Sequence, residues 1–479
     1  MALHFDRNTL RRRPTILFWM AALALAAGCS GSEDGATAGS SGSSGEQPEP
    51  GPPGGETAWA LRIGGGPDGY TSPVGVAVGA NDEIAAVGSF ARNVEVGDTT
   101  RQQTLESADE LFIARFDAAG QLSSIAPDPS RIACVANDFS PTFDPAGNLL
   151  VSATMQAAID FGGVMIGGGL APFVADFGPN GNLLSAKETP VDEVWNGGHG
   201  WAQGAVRDGQ GNTFVLNESF RPDHEDLDYE RWGFLVAKYG PDGALQWTNA
   251  FSAGEAGYAH AFRIVKDPSG SVVVVGDYQS PFDLGAELLP PTPAPGPTQE
   301  DVSRSFVARF DQAGKASVLH ATEPGENVVD ATVDVDSNLI LLSARQIWDE
   351  ASGQIVSAPV RTLRALDASG AALWTIEVEG CEAIAVDGAR NVTCAGLDAA
   401  ATSLRIAKYD PAGQPLWSVD RALGAASLTV RRVLVDGEGA PILLVSLSGS
   451  MDLGGGTVSS NGSLYDVGTP SDVIVKLTP

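Results

Sequence analysis

Polar and aromatic side chains recur at one place in this chain, and their types suit ligand binding. Seven residues before each of seven short Asp- or Gly-led segments stand Ser72, Asn137, Trp201, His260, Asn327, Gly380 and Thr429. Two residues earlier, three of these places carry Tyr70, His199 and Tyr258. Such groups converging on one opening can bind a sugar, a peptide or a metal ion. We predict a binding site formed by Tyr70, Asn137, His199, Trp201, Tyr258, His260 and Asn327. The alternative is a set of solvated strand ends.

Metal binding is the first chemistry to consider. His199 and His260 could ligate one ion, because imidazole is the commonest transition-metal ligand. No acidic third ligand stands at a fixed spacing from them, so we predict no metal site. The acidic segment 223–230 could hold Ca²⁺ through carboxylate oxygens, although a solvated acidic loop explains it better. No cofactor is therefore predicted, with calcium as the alternative.

Catalytic motifs are missing from the sequence. It contains no GxSxG nucleophile elbow, no HExxH zinc motif, no Walker loop and no dinucleotide fingerprint in a strand–helix setting. A binding or scaffold module is therefore the favoured interpretation. The alternative is an enzyme, a lyase or glycan hydrolase, which would use His199, His260 and acidic loop residues.

Two recurring turn segments indicate the elements that position these residues. The first occurs at 144–148, 208–212, 267–271, 387–391 and 436–440, with looser copies at 334–338 and 79–83. Asp in the first place and Gly in the fourth suit a type I turn followed by a left-handed residue, so this segment joins two antiparallel strands, a and b. The second occurs at 116–120, 177–181, 239–243, 310–314, 366–370 and 409–413, and joins strands c and d.

The count of these turns predicts an all-β, seven-bladed β-propeller with four antiparallel strands in each blade. Strand c of the last repeat ends almost at the C-terminus, at 473–477, and no strand d follows it. The segment Trp59 to Ile63 has the sequence pattern of a strand d, although no strands a to c precede it. We predict that it completes the seventh blade, Leu428 to Leu477, and closes the ring, which removes exposed sheet edges.

The amino-acid sequences of the repeats support this interpretation. Val435-Asp436, Gly211-Asn212 and Val275-Gly276 match pieces of one pattern, as do the segments 160–162, 283–285 and 452–454. Over residues 57–479 the chain resembles the bacterial SBBP β-propeller repeat family. The resemblance implies the fold and says little about function.

The N-terminus predicts export and anchoring. Four arginines precede an apolar core at 16–27 that is short for a membrane span. The core ends in 25–29, Leu-Ala-Ala-Gly-Cys, which resembles the lipobox of bacterial lipoproteins, with Ala26 where Leu is usual. The resemblance implies a signal peptide at 1–28, lipidation of Cys29 and a place in the cell envelope, at the outer membrane. Residues 29–56 then form a Ser-, Gly- and Pro-rich tether before a propeller at 57–479.

Charge and cysteines limit the partners. The net charge of −30 disfavours nucleic acid. Removing Cys29 leaves Cys134, Cys381 and Cys394, an odd number for an exported chain. Regular pairing would place Cys381 about 10 Å from the point opposite Cys394, so free thiols are favoured over a disulfide of these two.

The predicted binding face is the one that carries the variable b–c loops, since rigid scaffolds place function on such loops. These loops are 91–110, 219–232, 280–304, 347–360 and 448–470. We expect a monomer held to the membrane by lipid alone, with an unknown protein or glycan partner. A role as an accessory of outer-membrane assembly is a further alternative.

Overall fold

The computed structural model describes most of the chain after residue 53. The described residues are 54–66, 69–104, 109–126, 136–167, 169–191, 199–222, 230–252, 259–279, 281–285, 288–289, 303–345, 348–349, 354–355, 359–460 and 471–479. Several expectations lie outside them: the signal peptide, Cys29, the tether up to residue 53, Cys134, Tyr258 and the acidic segment 223–229. Asn137 and His199 are described as strand residues, without their side chains.

Seven antiparallel sheets, each with strands a to d, form a seven-bladed β-propeller, as the turn count predicts. In the order a to d, blade 1 comprises Tyr70–Thr71 with Gly75–Val78, Ile84–Ala91, Glu110–Phe116 and Leu122–Ala126; blade 2 Ala136–Phe143, Leu149–Met155, Ala171–Phe177 and Leu183–Glu188; blade 3 His199–Arg207, Thr213–Pro222, Glu230–Tyr239 and Leu245–Ser252; and blade 4 Ala259–Lys266, Val272–Tyr278, Arg304–Phe310 and Ala316–Ala321. Blade 5 comprises Glu326–Val333, Leu339–Arg345, Val360–Leu366 and Ala372–Val378; blade 6 Ala383–Val386, Val392–Leu397, Ser403–Tyr409 and Pro415–Ala422; and blade 7 Ser427–Val435, Pro441–Ser448, Ser471–Leu477 and Thr57–Gly64.

The described part of five b–c loops contains a short hairpin. The paired segments are Asn93–Val96 with Thr99–Gln102, Ile159–Asp160 with Met165–Ile166, Phe282–Asp283 with Leu288–Leu289, Trp348–Asp349 with Gln354–Ile355, and Ser450–Asp452 with Thr457–Ser459. No helix among the described residues is long and apolar enough to cross a membrane.

The N-terminal strand closes the ring. Thr57–Gly64 runs antiparallel to Ser471–Leu477, with Trp59 opposite Lys476 and Ile63 opposite Asp472. The prediction that this segment supplies strand d of blade 7 is therefore confirmed. The sequence did not suggest the next step: the hairpin at Asn93–Val96 pairs with Ile63 and Gly64, and so extends this sheet to six strands.

Burial explains why the four strands of a blade differ in sequence. Strands b and c are covered on both faces by neighbouring blades, so runs such as Val272–Tyr278 are almost wholly buried. Strand d forms the outer edge, and Leu245–Ser252 alternates between exposed and half-buried residues. Continuous apolar runs therefore mark the middle of each blade, and alternating runs mark its rim.

The a–b turns adopt the predicted conformation because the Asp side chain binds the turn's own backbone. In blade 6 the Asp387 Oδ1 accepts from the amides of Ala389 at 2.9 Å and Asn391 at 2.8 Å, and its Oδ2 accepts from the Asn391 side chain at 3.0 Å. The fourth place requires a left-handed backbone, φ +80° at Gly439. Ser337 and Asp82 adopt the same conformation at φ +64° and φ +59°, so the looser copies of the segment are full turns.

The c–d turns receive tryptophans from neighbouring blades. The Trp247 Nε1 donates to the Gln312 carbonyl at 3.0 Å, and the Trp374 Nε1 donates to the Pro411 carbonyl at 2.8 Å. Trp417 packs on Gly55, which precedes the strand that completes blade 7; a Cβ there would lie 2.9 Å from the indole. The repeated turn is thus a docking place between blades.

The two cysteines of blade 6 correct a prediction. Cys381 and Cys394 are joined by a disulfide, and their Cα atoms are 5.4 Å apart. The expected separation of about 10 Å assumed that strand a continues regularly past Ala383. Instead the chain bends at 379–382, with Gly380 at φ +63° and the Glu382 amide bonded to the Ala395 carbonyl at 2.7 Å. The bend carries Cys381 back toward Cys394.

Candidate functional site

The innermost strands line a central channel. Strands a of adjacent blades contact one another all the way around the ring. In blades 4, 5 and 7 the pairing of strand a with strand b shifts by one residue, just before Arg263, Asp330 and Arg432 respectively. Each of these residues stands four places before the Asp of its a–b turn. The irregularities therefore bring three charged side chains to one level of the channel.

The predicted site residues separate into two groups. Trp201 and His260 lie in strands a of adjacent blades and both adjoin Glu218: Trp201 is its directly opposite strand partner in blade 3, and the His260 ring lies next to its carboxylate. Tyr70 is in blade 1 and half exposed. Asn327 is in blade 5, where its Oδ1 accepts from the Ser303 hydroxyl at 3.1 Å. The described structure thus brings Trp201 and His260 together and leaves Tyr70 three blades from His260.

The Glu218 carboxylate organises the first group. Its Oε1 lies 3.2 Å from the Nε2 of His260, and its Oε2 accepts from the Gln203 side chain at 2.7 Å. The Glu218 side chain is 5% exposed and that of His260 is 34% exposed. A buried carboxylate therefore holds an accessible imidazole in place, with the partly buried Trp201 beside it.

A second carboxylate lies on the other side of His260. Asp277 is directly opposite His260 in strand b of blade 4, and the Ser305 hydroxyl donates to its Oδ1. Burial raises the pKa of Asp277 to about 6, against the opposing effects of the Ser305 hydrogen bond and the nearby His260. The same hydroxyl accepts from the Val328 amide at 2.8 Å. Asp277 is thus a carboxyl that can gain or lose a proton close to neutral pH.

A charged layer lies in the channel at the level where the pairing of strands a and b shifts; it consists of Arg263, Asp330, Arg431, Arg432 and Asp472. Arg263 and Asp330 pair at 3.0 Å, and Arg431 and Asp472 also pair at 3.0 Å. Both acids also bind the first strand of the next blade. The Asp330 Oδ2 accepts from the Ile384 amide at 3.0 Å, and the Asp472 Oδ2 accepts at 2.8 Å from the amide of Val74, between the two segments of strand a in blade 1. These carboxylates therefore hold the blades together as well as pairing with arginines.

Together these groups can bind a polar ligand and can move a proton. The indole ring of Trp201 offers a face for stacking, and His260 with its two carboxylates offers hydrogen bonds of either direction. Among the described residues, no group of three or more His, Cys, Asp or Glu is arranged to hold a metal ion.

Reasoning from the sequence missed Glu218, Asp277 and the charged layer that includes Arg432. A signal for two of them exists. Glu218 and Asp277 are acids within strands b, in runs of buried residues. A carboxylate in such a run needs a partner, which is a reason to look for a site. Arg432 has no comparable signal, because it follows another arginine, Arg431, in a strand that mixes polar and apolar residues.

The variable loops are described only in part, and four of their described hairpins pack on the outside of the ring. The hairpins of blades 1, 2, 4 and 7 lie against outer strands d: in the hairpin of blade 7, the Leu453 carbonyl accepts from the Arg421 Nε of blade 6 at 3.3 Å. The recurring Asp-apolar-Gly segments are the turns of these hairpins. In one of them the Asp283 Oδ1 accepts from the Gly285 amide at 2.7 Å, and Leu284 between them is buried. Their role is therefore structural.

A cleft of about 480 Å³ lies elsewhere, beside the turns of blade 1. Its lining includes Glu83 and Arg115, which form an ion pair with each other. Arg115 also donates to the Gly178 carbonyl of blade 2 at 3.0 Å. These charges are already used to join two blades, so the cleft is not the candidate site.

The sequence matches no protein-family model and no curated protein. The structure is similar to that of the polysaccharide lyase Uly1, with 10% identity, a TM-score of 0.46, and coverage of 85% of this chain and 90% of that one. It is similar to a protein of unknown function from Dyadobacter fermentans, with 11% identity, a TM-score of 0.44, and coverage of 89% and 99%. It is also similar to a streptogramin B lyase, with 10% identity, a TM-score of 0.40, and coverage of 88% and 98%. Likeness at this level carries no argument about function.

Proposed function

We propose that this protein is a binding module of the cell envelope, which captures its ligand at the end of the channel formed by blades 3 to 5. One observation supports this most directly: Trp201 and His260, two residues expected at a channel mouth, both adjoin the buried Glu218. A half-exposed imidazole held by a buried acid is preorganised, so it loses little side-chain freedom when a ligand binds.

The ligand would stack on Trp201 and exchange hydrogen bonds with His260. Glu218 would orient the imidazole, and Gln203 would keep the carboxylate in place through its hydrogen bond at 2.7 Å. Glu218 is thus a positioning residue, while His260 and Trp201 contact the ligand. A polar ligand with an apolar face, such as a sugar or a peptide, has the matching chemistry.

Ligand capture by the full chain tests the proposal. Envelope glycans and peptidoglycan fragments on an array serve as probes, with His260→Gln as the variant and His320→Gln as the matched control. His320 lies in strand d of the same blade, away from the channel, and bonds to Arg364. We expect His260→Gln to weaken capture at least about tenfold, while His320→Gln binds like the wild type. Equal binding by all three proteins would overturn the proposal.

The proposal includes anchoring through Cys29, with residues 30–56 as the tether. Its support is the sequence resemblance to a lipobox. We expect the Cys29→Ala protein to leave the membrane fraction, since a lipid anchor would be its only attachment. Continued partition of this variant into detergent would contradict the anchor. An outer-membrane location is tested by separating the two membranes on a density gradient.

An enzyme acting on glycans is the second candidate, and Asp277 is the observation that favours it. A carboxyl with a pKa of about 6 next to His260 suits proton transfer to or from a sugar oxygen. Incubation with envelope polysaccharides should then produce new reducing ends, and Asp277→Asn should abolish them. If the wild type produces none while still binding, the binding module stands alone.

A further inference from the structure

Arg432 is a cation without a partner in the channel. No hydrogen bond or ion pair joins its guanidinium to any described residue, and its Nε is buried with no acceptor. The residue as a whole is only partly buried. Since Nε is its only nitrogen found buried and unpaired, the two terminal nitrogens remain open to the channel. A buried donor without an acceptor is costly, so this arrangement calls for an explanation.

The position of Arg432 in the ring shows where it points. Arg432 stands in strand a of blade 7, four residues before the Asp of the a–b turn, which is the place that Arg263 occupies in blade 4 and Asp330 in blade 5. Because strands a line the channel, the three charged residues share one level of it. Burial and the nearby Arg263 lower the pKa of Arg432 to about 10, with Arg431 contributing and Asp330 opposing, so the group remains charged at neutral pH.

The acids of the layer do not neutralise this charge. Asp330 pairs with Arg263, and Asp472 pairs with Arg431. The second oxygen of Asp330 accepts from the Ile384 amide, and the second oxygen of Asp472 accepts from the Ser446 hydroxyl at 3.0 Å, so neither carboxylate has an oxygen left for Arg432. Three arginines face two carboxylates, and the layer has one positive charge more than its acids can balance. That excess stands out in a chain whose net charge is −30.

We propose that Arg432 binds the carboxylate of an anionic ligand inside the channel, below the site at His260. This inference rests on the proposed function and adds that the ligand is an anion. A single excess charge suits a monoanion, and the planar end of a guanidinium matches a carboxylate in two parallel hydrogen bonds.

Acetate is the probe for this site, used with the full chain in detergent at constant ionic strength set with chloride. Binding is followed by saturation-transfer NMR and fitted to a Kd. We expect Arg432→Met to raise the Kd of acetate at least about tenfold, the usual effect of losing a charged hydrogen-bonded pair. Arg432→Lys keeps the charge without the planar end and should bind acetate at an intermediate level. Arg390→Met is the matched control, because Arg390 forms an exposed pair with Asp336.

Melting curves confirm that each variant is folded before binding is measured. Wild-type binding that falls in Arg432→Met and persists in Arg390→Met supports the site. Absence of acetate binding by the wild type, or equal binding by Arg432→Met, overturns it. Methyl sulfate or phosphate binding more tightly than acetate at Arg432 would overturn the carboxylate assignment. Failure here leaves the capture test at His260 unaffected, because that test uses different variants and a different readout.

Discussion

The turn face and the channel of this propeller use charge in opposite ways. On the turn face, Lys408 of blade 6 lies 3.1 Å from the Asp387 carboxylate and donates to the Gly439 carbonyl of blade 7 at 2.8 Å. The same carboxylate also closes its own turn through three hydrogen bonds. In the channel, Arg432 has no such partner among the described residues. The first arrangement is complete within the protein, and the second requires something from outside.

The contrast shows which kind of repetition indicates function. Cations near the end of strand c recur around the ring, and Arg309 and Lys476 also face the Asp of their own a–b turns, at 2.9 and 2.7 Å. Every such pair joins two strands or two blades. The channel residues differ from blade to blade. In this protein the regular features are structural, and the irregular ones are the candidates for binding.

The largest effect is expected when the ring is opened, because both faces depend on closure. Deleting 57–64 removes the buried Ile63 and the docked Trp59, and exposes the edge of Ser471–Leu477. We expect a loss of at least about 5 kcal/mol of unfolding free energy. Deleting 30–50 from the tether is the control and should leave thermal unfolding unchanged. Equal melting temperatures for the two deletions would refute closure by this strand.

The next effect tests the turn face. Lys408→Met leaves Asp387 buried without its cation, and breaking such a pair usually costs about 3–5 kcal/mol. Arg390→Met removes a cation from an exposed pair and should cost less than about 1 kcal/mol. Urea unfolding measures both. A cost for Lys408→Met no greater than that for Arg390→Met would show that the turn-face pairs are not structural.

Replacing the channel arginine with methionine should raise the unfolding free energy instead of lowering it. Arg432→Met removes a partly buried charge that lacks a partner, and we expect it to stabilise the protein by on the order of 2 kcal/mol. Higher stability combined with lost acetate binding would mark Arg432 as a binding residue. A destabilisation as large as that of Lys408→Met would instead make Arg432 structural, and would remove the contrast between the two faces.

The smallest effect concerns pH. Because the pKa of Asp277 is raised to about 6 in the folded protein, the folded state holds this proton at pH values where the unfolded state has released it. Asp277 therefore lowers stability as pH rises from about 4 through 6. Asp277→Asn should remove this slope. Between pH 4 and pH 7 the unfolding free energy of the variant should therefore rise by on the order of 1 to 2 kcal/mol relative to that of the wild type. Urea unfolding at several pH values checks it, and parallel curves for wild type and variant would contradict it.

Much of the fold could be predicted because the a–b and c–d turns are local. Asp387 binds amides two and four residues away, so the segment specifies its own conformation wherever it occurs. The disulfide could not be predicted, because the bend before Ala383 depends on a left-handed Gly380 that the repeat pattern does not require. For the site, Trp201 and His260 could be proposed from their spacing before the a–b turns, and their role in binding stays a prediction, whereas Glu218 and Asp277 were not found.

The sequence by itself determined the number of blades, the antiparallel strands and the closing strand, since these follow from turn chemistry and apolar runs over a few residues. Only the tertiary structure decided which side chains meet in the channel. Arg263 and Arg432 are far apart in the chain, and irregular pairing in strand a turns them toward one level. The physical reason is that a one-residue shift in pairing redirects a side chain, and its consequences are decided by the blades across the ring.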